Sequence, residues 1–434
     1  MAAFAASAGR ALENPDARRG LWKGRGAVIV GLVLLGIGLR YAITGMSPLL
    51  SDVRAALGID TAGATLLGML PTLSFGVGGF LAPALVRRWG PEATALIAVV
   101  LAAVGALLRP FGGGTLPFLG LTAVALVGMG LGNVAGAPLV KKYFPDRQAS
   151  MITLFSLLMQ AGATLPAMTA LPLANTVGWQ GSLASWGLLS LIAVLPWAAQ
   201  FVASLRARHD AGSGTRVPTS SAPKVGFGEL VRSPVAWGTA VFYAMASLNT
   251  YAMLAWLPTI LAQYGGLSKA DAAGAFSIFT FMTLPMAVVT PLLANRLRNP
   301  TWLAVALAAT LPAGYLGLLS HAGPAWVWVF VAGISGGAFP FAIAMFNLRT
   351  RTTAGSAGVG GFAMGIGYLA GTLGPLVGGG LFAATGGWAA PLWVYVATFV
   401  PMALGAVIMA RPGRYVEDAL GTPSPEAGSP ATVG

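Results

Sequence analysis

An arginine stands inside the first long apolar run of this chain. Arg40 lies thirteen residues after Ala27, about 20 Å along a helix that rises 1.5 Å per residue. That is slightly past the middle of a hydrocarbon core about 30 Å thick. An arginine at such a depth costs about 2.5–3.5 kcal/mol on insertion scales, so it needs a compensating group. Its planar fork matches carboxylates and similar anions. The twelve acidic residues are Glu13, Asp16, Asp52, Asp60, Glu92, Asp146, Asp210, Glu229, Asp271, Glu417, Asp418 and Glu426, each in a loop, a tail or at a helix end. Two readings of Arg40 follow: a cavity residue that grips an anionic or strongly polar solute, or a structural arginine bonded to helix carbonyls. Tyr41, Thr44, Asn133, Gln160 and Tyr368 also fall near the middle of apolar runs. Each suits a binding cavity, and each suits interhelical bonding, worth about 0.6 kcal/mol on average in a membrane.

Other chemistry finds little support. His209 and His321 are isolated, and cysteine is absent, so no metal-ligand pattern forms. The chain has no nucleophile elbow, phosphate-binding loop or zinc-protease pattern. Neither enzymatic activity nor ATP-driven work is expected, and no cofactor or metal. The net charge of +13 does not point to nucleic acid, because the basic residues sit in short loops and form no patch.

The elements that must position Arg40 are membrane spans. The chain of 434 residues is 56% hydrophobic and 9% charged, against about 25% charged in soluble proteins. Apolar runs long enough to cross a bilayer are expected at 27–50, 62–86, 93–111, 116–140, 149–173, 182–205, 234–261, 271–294, 301–320, 325–348, 355–384 and 389–410. The expected fold is thus an all-α membrane protein of twelve helices. Of the 25 basic residues only Arg54, Arg109 and Lys269 fall in one set of alternate loops, and Arg40 lies within a span. The remainder share the opposite face, which the positive-inside rule makes cytoplasmic, with both termini. The first apolar run is too long for the core of a cleavable signal and should remain as an anchor.

The longest polar interval divides the spans six and six. The domains expected are a cytoplasmic segment 1–26, a six-helix half 27–205, a cytoplasmic linker 206–233, a second half 234–410 and a disordered tail 411–434. At an offset of 209 residues, Ala161, Gly162 and Pro166 fall on Ala370, Gly371 and Pro375, and Gly178 and Trp179 on Gly387 and Trp388. Arg87 falls on Arg296 and Lys142 on Arg351. Such self-similarity marks an internal repeat, here two pseudo-symmetric halves. The same offset carries Arg40 onto Asn249, with Tyr243, Ser247, Thr250, Tyr251 and Trp256 nearby. Asn249 and Tyr251 are therefore candidate groups from the second half. Pro166 and Pro375 are expected to kink matching spans, and Gly128, Gly130 and Gly132 to allow close helix contact.

Four strings carry a resemblance: GLRYAITGMSPLLSDVRAALGI in the first span, GMGLGNVAGAPLVKKYFPDR in the fourth, YAMLAWLPTIL in the seventh, and GYLAGTLGPLVGG followed by ATGGW in the eleventh. Together they resemble the cyanate and 2-nitroimidazole transporter branch of the major facilitator superfamily, over about residues 30–410. The resemblance implies a twelve-helix carrier with a central site between its halves, working as a monomer. One departure concerns the loop between spans two and three. It reads RRWGPE, with Arg87 where the superfamily carries Asp and Glu92 where it carries a basic residue. The function expected is transport of a small anionic or polar organic solute across the cell membrane, with Arg40, Tyr41, Thr44, Asn133, Gln160, Asn249, Tyr251 and Tyr368 as candidate contacts. Rival readings are an exporter of neutral aromatic compounds and a ligand-binding sensor without flux.

Overall fold

The structure, a computed structural model, describes residues 25–210 and 230–419. The expected segment 1–26 and linker 206–233 lie largely outside these residues, as does 420–434. Every regular element among the described residues is helical. Eleven helical runs are long and apolar enough to cross a membrane: Gly26–Leu57, Thr61–Trp89, Pro91–Phe111, Thr115–Tyr143, Ser150–Arg206, Pro234–Gln263, Lys269–Arg296, Thr301–Leu319, Ala325–Leu348, Gly358–Thr385 and Ala389–Ala410. The fifth is 57 residues long, about 86 Å at 1.5 Å per residue, far beyond one bilayer. Gly178 divides it with φ 74° and ψ 165°, a conformation that excludes most side chains. Spans five and six therefore meet at Gly178, and the runs resolve into the twelve spans expected.

Large apolar side chains stay exposed on this fold, Phe80, Leu195, Leu369 and Val400 among them. In lipid that arrangement carries no penalty, because acyl chains are as apolar as the side chains they meet.

The described chain forms two compact units. One takes in the residues up to Met46 and those from Val77 through the sixth span; the other takes in Ser47–Gly76 and everything from the seventh span on. Within the first unit, Gly162 on span five meets span one so closely that a Cβ there would stand 2.0 Å from the Ile37 carbonyl oxygen. Within the second, a Cβ on its repeat equivalent Gly371 would stand 2.5 Å from Ser247 Oγ on span seven. The 209-residue offset thus reappears as packing: each half seats its fifth helix on its first through a glycine. Aromatic residues fill the second unit's core, where Phe242, Phe341, Phe346 and Phe362 from spans seven, ten and eleven are buried together.

The tail differs from expectation at its start. Residues 411–419 hold a 3-10 turn, Val416–Ala419, with Val416 fully buried. Glu417 Oε1 accepts from Arg351 N (3.0 Å), Thr352 N (3.1 Å) and Thr352 Oγ1 (3.0 Å). The backbone N–H groups at a helix start lack intrahelical partners, and this carboxylate serves those ahead of the helix Thr353–Thr385. Arg351 closes the clip, paired with Asp418 at 2.8 Å and stacked over Tyr415. Arg349 donates to the Ala410 carbonyl at 2.6 Å, and burial pushes its guanidinium below its usual range.

Candidate functional site

The first span is not one continuous helix. A helix Gly26–Ile37 ends in a turn, and Arg40 takes φ −134° and ψ −10°. A single turn Tyr41–Thr44 follows, then a 3-10 turn Ser47–Leu49, then a helix Leu50–Leu57. Gly38, Gly45 and Pro48 mark these breaks, and Gly and Pro are the residues that interrupt helices most readily. Irregular backbone at membrane depth must be satisfied within the protein or line a cavity. Here it is partly satisfied by side chains: Thr44 Oγ1 donates to the Arg40 carbonyl (3.3 Å) and Arg109 Nη1 to the Ala42 carbonyl (3.2 Å).

Spans four and five close on this break. A Cβ on Gly132 would stand 2.8 Å from Leu39 Cδ2, and Gly162 contacts Ile37 as described. Asn133 adjoins the first of these glycines and Gln160 lies two residues before the second. The first unit thus sets Asn133 and Gln160 on the two helices packed against the segment just before Arg40, and all three residues are half-buried. Tyr41 and Thr44 are instead fully buried. The Tyr41 hydroxyl shares a hydrogen bond with Ser190 Oγ (3.0 Å) and donates to the Ala102 carbonyl (3.3 Å), while its ring stacks on Trp186. Tyr41 therefore locks span one to spans three and six.

In the second unit the candidates separate. Asn249 is fully bonded: Nδ2 donates to the Met245 carbonyl and Thr398 Oγ1, both at 2.8 Å, and Oδ1 accepts from Tyr315 at 3.0 Å. This amide ties spans seven, nine and twelve together. Tyr251 is buried, and its ring lies beside Gly371. Tyr368 is half-buried and meets Phe75 edge-on at 6.4 Å.

Arg40 keeps its unusual electrostatics. Its Nε is buried with no hydrogen-bond partner among the described residues. Among the described residues, the following carboxylates are engaged elsewhere. Asp52 pairs with Lys269, Asp60 accepts from Gly63 N, and Glu92 pairs with Lys142. Asp146 holds Arg25 at 2.9 Å, Asp271 bonds Ser268, and Asp418 holds Arg351.

Two buried charges were not legible as such. Glu92, at the start of span three, is fully buried and accepts from Lys142 and from Tyr143 at 2.7 Å. The departure RRWGPE thus installs an acid that meets the base at the end of span four. Arg109, expected in a loop, is 1% exposed. It ends span three just before Pro110, and its guanidinium turns back over the Phe118 ring at 5.8 Å. A basic residue at the edge of an apolar run reads as a loop unless its reach back into the bundle is considered.

Comparison with known proteins agrees with this architecture. The family model of the Major Facilitator Superfamily matches residues 32–375. The chain is 33% identical to the Bacillus subtilis uncharacterized transporter YycB, over 86% of this chain and 91% of the relative. It is 31% identical to the Escherichia coli 2-nitroimidazole transporter, over 85% and 92%. It is 25% identical to the Escherichia coli cyanate transport protein CynX, over 83% and 91%. Among solved structures, a D-xylose–proton symporter superposes with a TM-score of 0.69 at 15% identity, covering 88% of this chain and 96% of its own.

Proposed function

The chain belongs to the major facilitator superfamily, and from that premise we propose that it carries a small anionic or polar organic solute across the cytoplasmic membrane by alternating access. One observation carries the proposal: a guanidinium at a break in the first span, with a buried unbonded Nε and every nearby carboxylate in sequence paired elsewhere. Carriers often place substrate groups at interrupted helices near the midplane. An intramembrane charge without a protein counter-ion is by default a functional group. In this reading the solute's negative end is the missing partner of Arg40, and Asn133 and Gln160, on the helices packed against the segment just before it, bond the solute's polar atoms. Tyr368 and Tyr251 are the aromatic candidates from the second half, and Asn249 contributes by holding its helix. Both termini lie in the cytoplasm, as the basic loops require, and the monomer is the working unit.

A thermal-shift panel of purified protein in detergent tests the reading, with monocarboxylates, cyanate, nitrate and nitroimidazoles run against wild type and Arg40→Gln. A ligand at about 100 times its dissociation constant adds about 2.7 kcal/mol of stability. An anion that stabilises the wild type and loses at least tenfold in affinity in Arg40→Gln is the expected result. Identity to a relative named for 2-nitroimidazole favours a second reading, transport of neutral aromatic compounds. Stabilisation by nitroimidazoles alone, equal in both proteins, would establish that reading and retire the anion site.

A further inference from the structure

Arg109 poses a separate accounting problem. Its side chain is 1% exposed. Nη1 is used by the Ala42 carbonyl, but Nε and Nη2 are buried with no hydrogen-bond partner among the described residues. Those two atoms form one edge of the guanidinium, the side-on fork that takes a carboxylate or a planar oxyanion through two parallel bonds. One face of the group is covered by the Phe118 ring. The indole N–H of Trp186, which stacks on Tyr41, is likewise buried and unbonded. Three buried donors and a positive charge of the first unit therefore have no acceptor among the described residues. The carboxylate on the same span, Glu92, is seventeen residues away, about 26 Å along the helix, and is bonded to Lys142 and Tyr143. Asp52 and Asp60 are occupied by Lys269 and Gly63. A buried charge lacking both a counter-ion and bonded edges is strongly disfavoured.

We propose that the Nε/Nη2 edge of Arg109 is a small-anion site, built to take one planar monovalent oxyanion or carboxylate and separate from the solute contact at Arg40. The bound anion completes the guanidinium whose remaining nitrogen holds the Ala42 carbonyl, and so braces the irregular backbone that presents Arg40. It is a resident ion in this scheme, and Arg109 is a positioning residue for the solute site.

Nitrate binding to the Arg40→Gln protein, followed calorimetrically, is the direct test, because that variant removes the other guanidinium. Saturable binding is expected to persist in Arg40→Gln at an affinity within about threefold of its value in wild type. The Arg40→Gln/Arg109→Lys double variant keeps the charge but not the fork, and should lose at least tenfold. Absence of saturable nitrate binding in Arg40→Gln overturns the site and leaves water as the partner of the Arg109 edge. If wild type binds nitrate in that case, the reading of Arg40 survives while this one fails. Equal affinity in the single and double variants also overturns it. The Arg40→Gln measurement stands on its own if no Arg109 variant folds.

Discussion

At the scale of single residues, the chain divides its mid-membrane polar groups between presenting and fastening. Arg40 keeps an unbonded nitrogen, whereas Asn249, its equivalent in the repeat, satisfies three partners from three helices. Replacing Asn249 with Ala strands the Tyr315 hydroxyl, whereas Thr398 keeps its bond to the Tyr395 carbonyl. A buried polar group left unsatisfied costs about 1–3 kcal/mol, so Asn249→Ala should lower the unfolding temperature by several degrees while leaving ligand affinity within about twofold. A large loss of affinity at unchanged stability would place this amide at the solute instead. The sequence made Arg40 legible because charge is rare in an apolar run. It could not show what Asn249 bonds, since Tyr315 and Thr398 lie 66 and 149 residues away. Arg109 was misplaced for a related reason: position along the chain locates the backbone of a long side chain, not its tip.

At the scale of elements, hydropathy found the spans but not their interruptions. The string GLRYAITGMSPLL reads as one apolar run, yet its backbone leaves the helix at Arg40 and again before Pro48. Isolated Gly residues are tolerated in membrane helices, so their presence alone does not mark a break. The repeat offset was more informative, because it foretold that Gly162 and Gly371 hold matching places. Gly162→Ala must push span five off the Ile37 carbonyl, where the added methyl would stand at 2.0 Å. Overpacking of this kind typically costs 1–3 kcal/mol or more. Gly76, where a Cβ meets nothing within 4 Å, is the control. Fluorescence-detected size exclusion should show reduced monodisperse yield for Gly162→Ala and wild-type yield for Gly76→Ala. Equal yields would mean that the spacing between spans one and five is not fixed.

For the whole molecule, composition and the distribution of basic residues were enough to read a twelve-span protein, and the superfamily match bears out that architecture. The beginning of the tail was not readable that way. A tail rich in Pro, Gly and Ser looks unstructured by composition, but Glu417 and Asp418 find donors at the start of span eleven that only the folded chain assembles. Glu417→Ala removes three hydrogen bonds there and should cost about 0.5–2 kcal/mol, the range for a lost helix-start acceptor. Thermal unfolding would detect it; an unchanged midpoint would show the clip to be ornamental. The Asp52–Lys269 pair should matter less, since both side chains are partly exposed and such pairs contribute about 0–1 kcal/mol.

On the proposed reading of Arg40 as the solute contact, its lack of a counter-charge among the described residues also has an electrical consequence. A carrier whose binding site holds a net positive charge crosses the membrane field as a cation when empty and as a neutral body when it holds a monoanion. Moving one charge through 100 mV changes the energy by about 2.3 kcal/mol, and that change falls on the empty return alone. In proteoliposomes, exchange of solute for solute should therefore ignore the applied voltage, while net flux follows it. Exchange that responds to voltage as steeply as net flux would mean that the charge of Arg40 is balanced by something that never leaves.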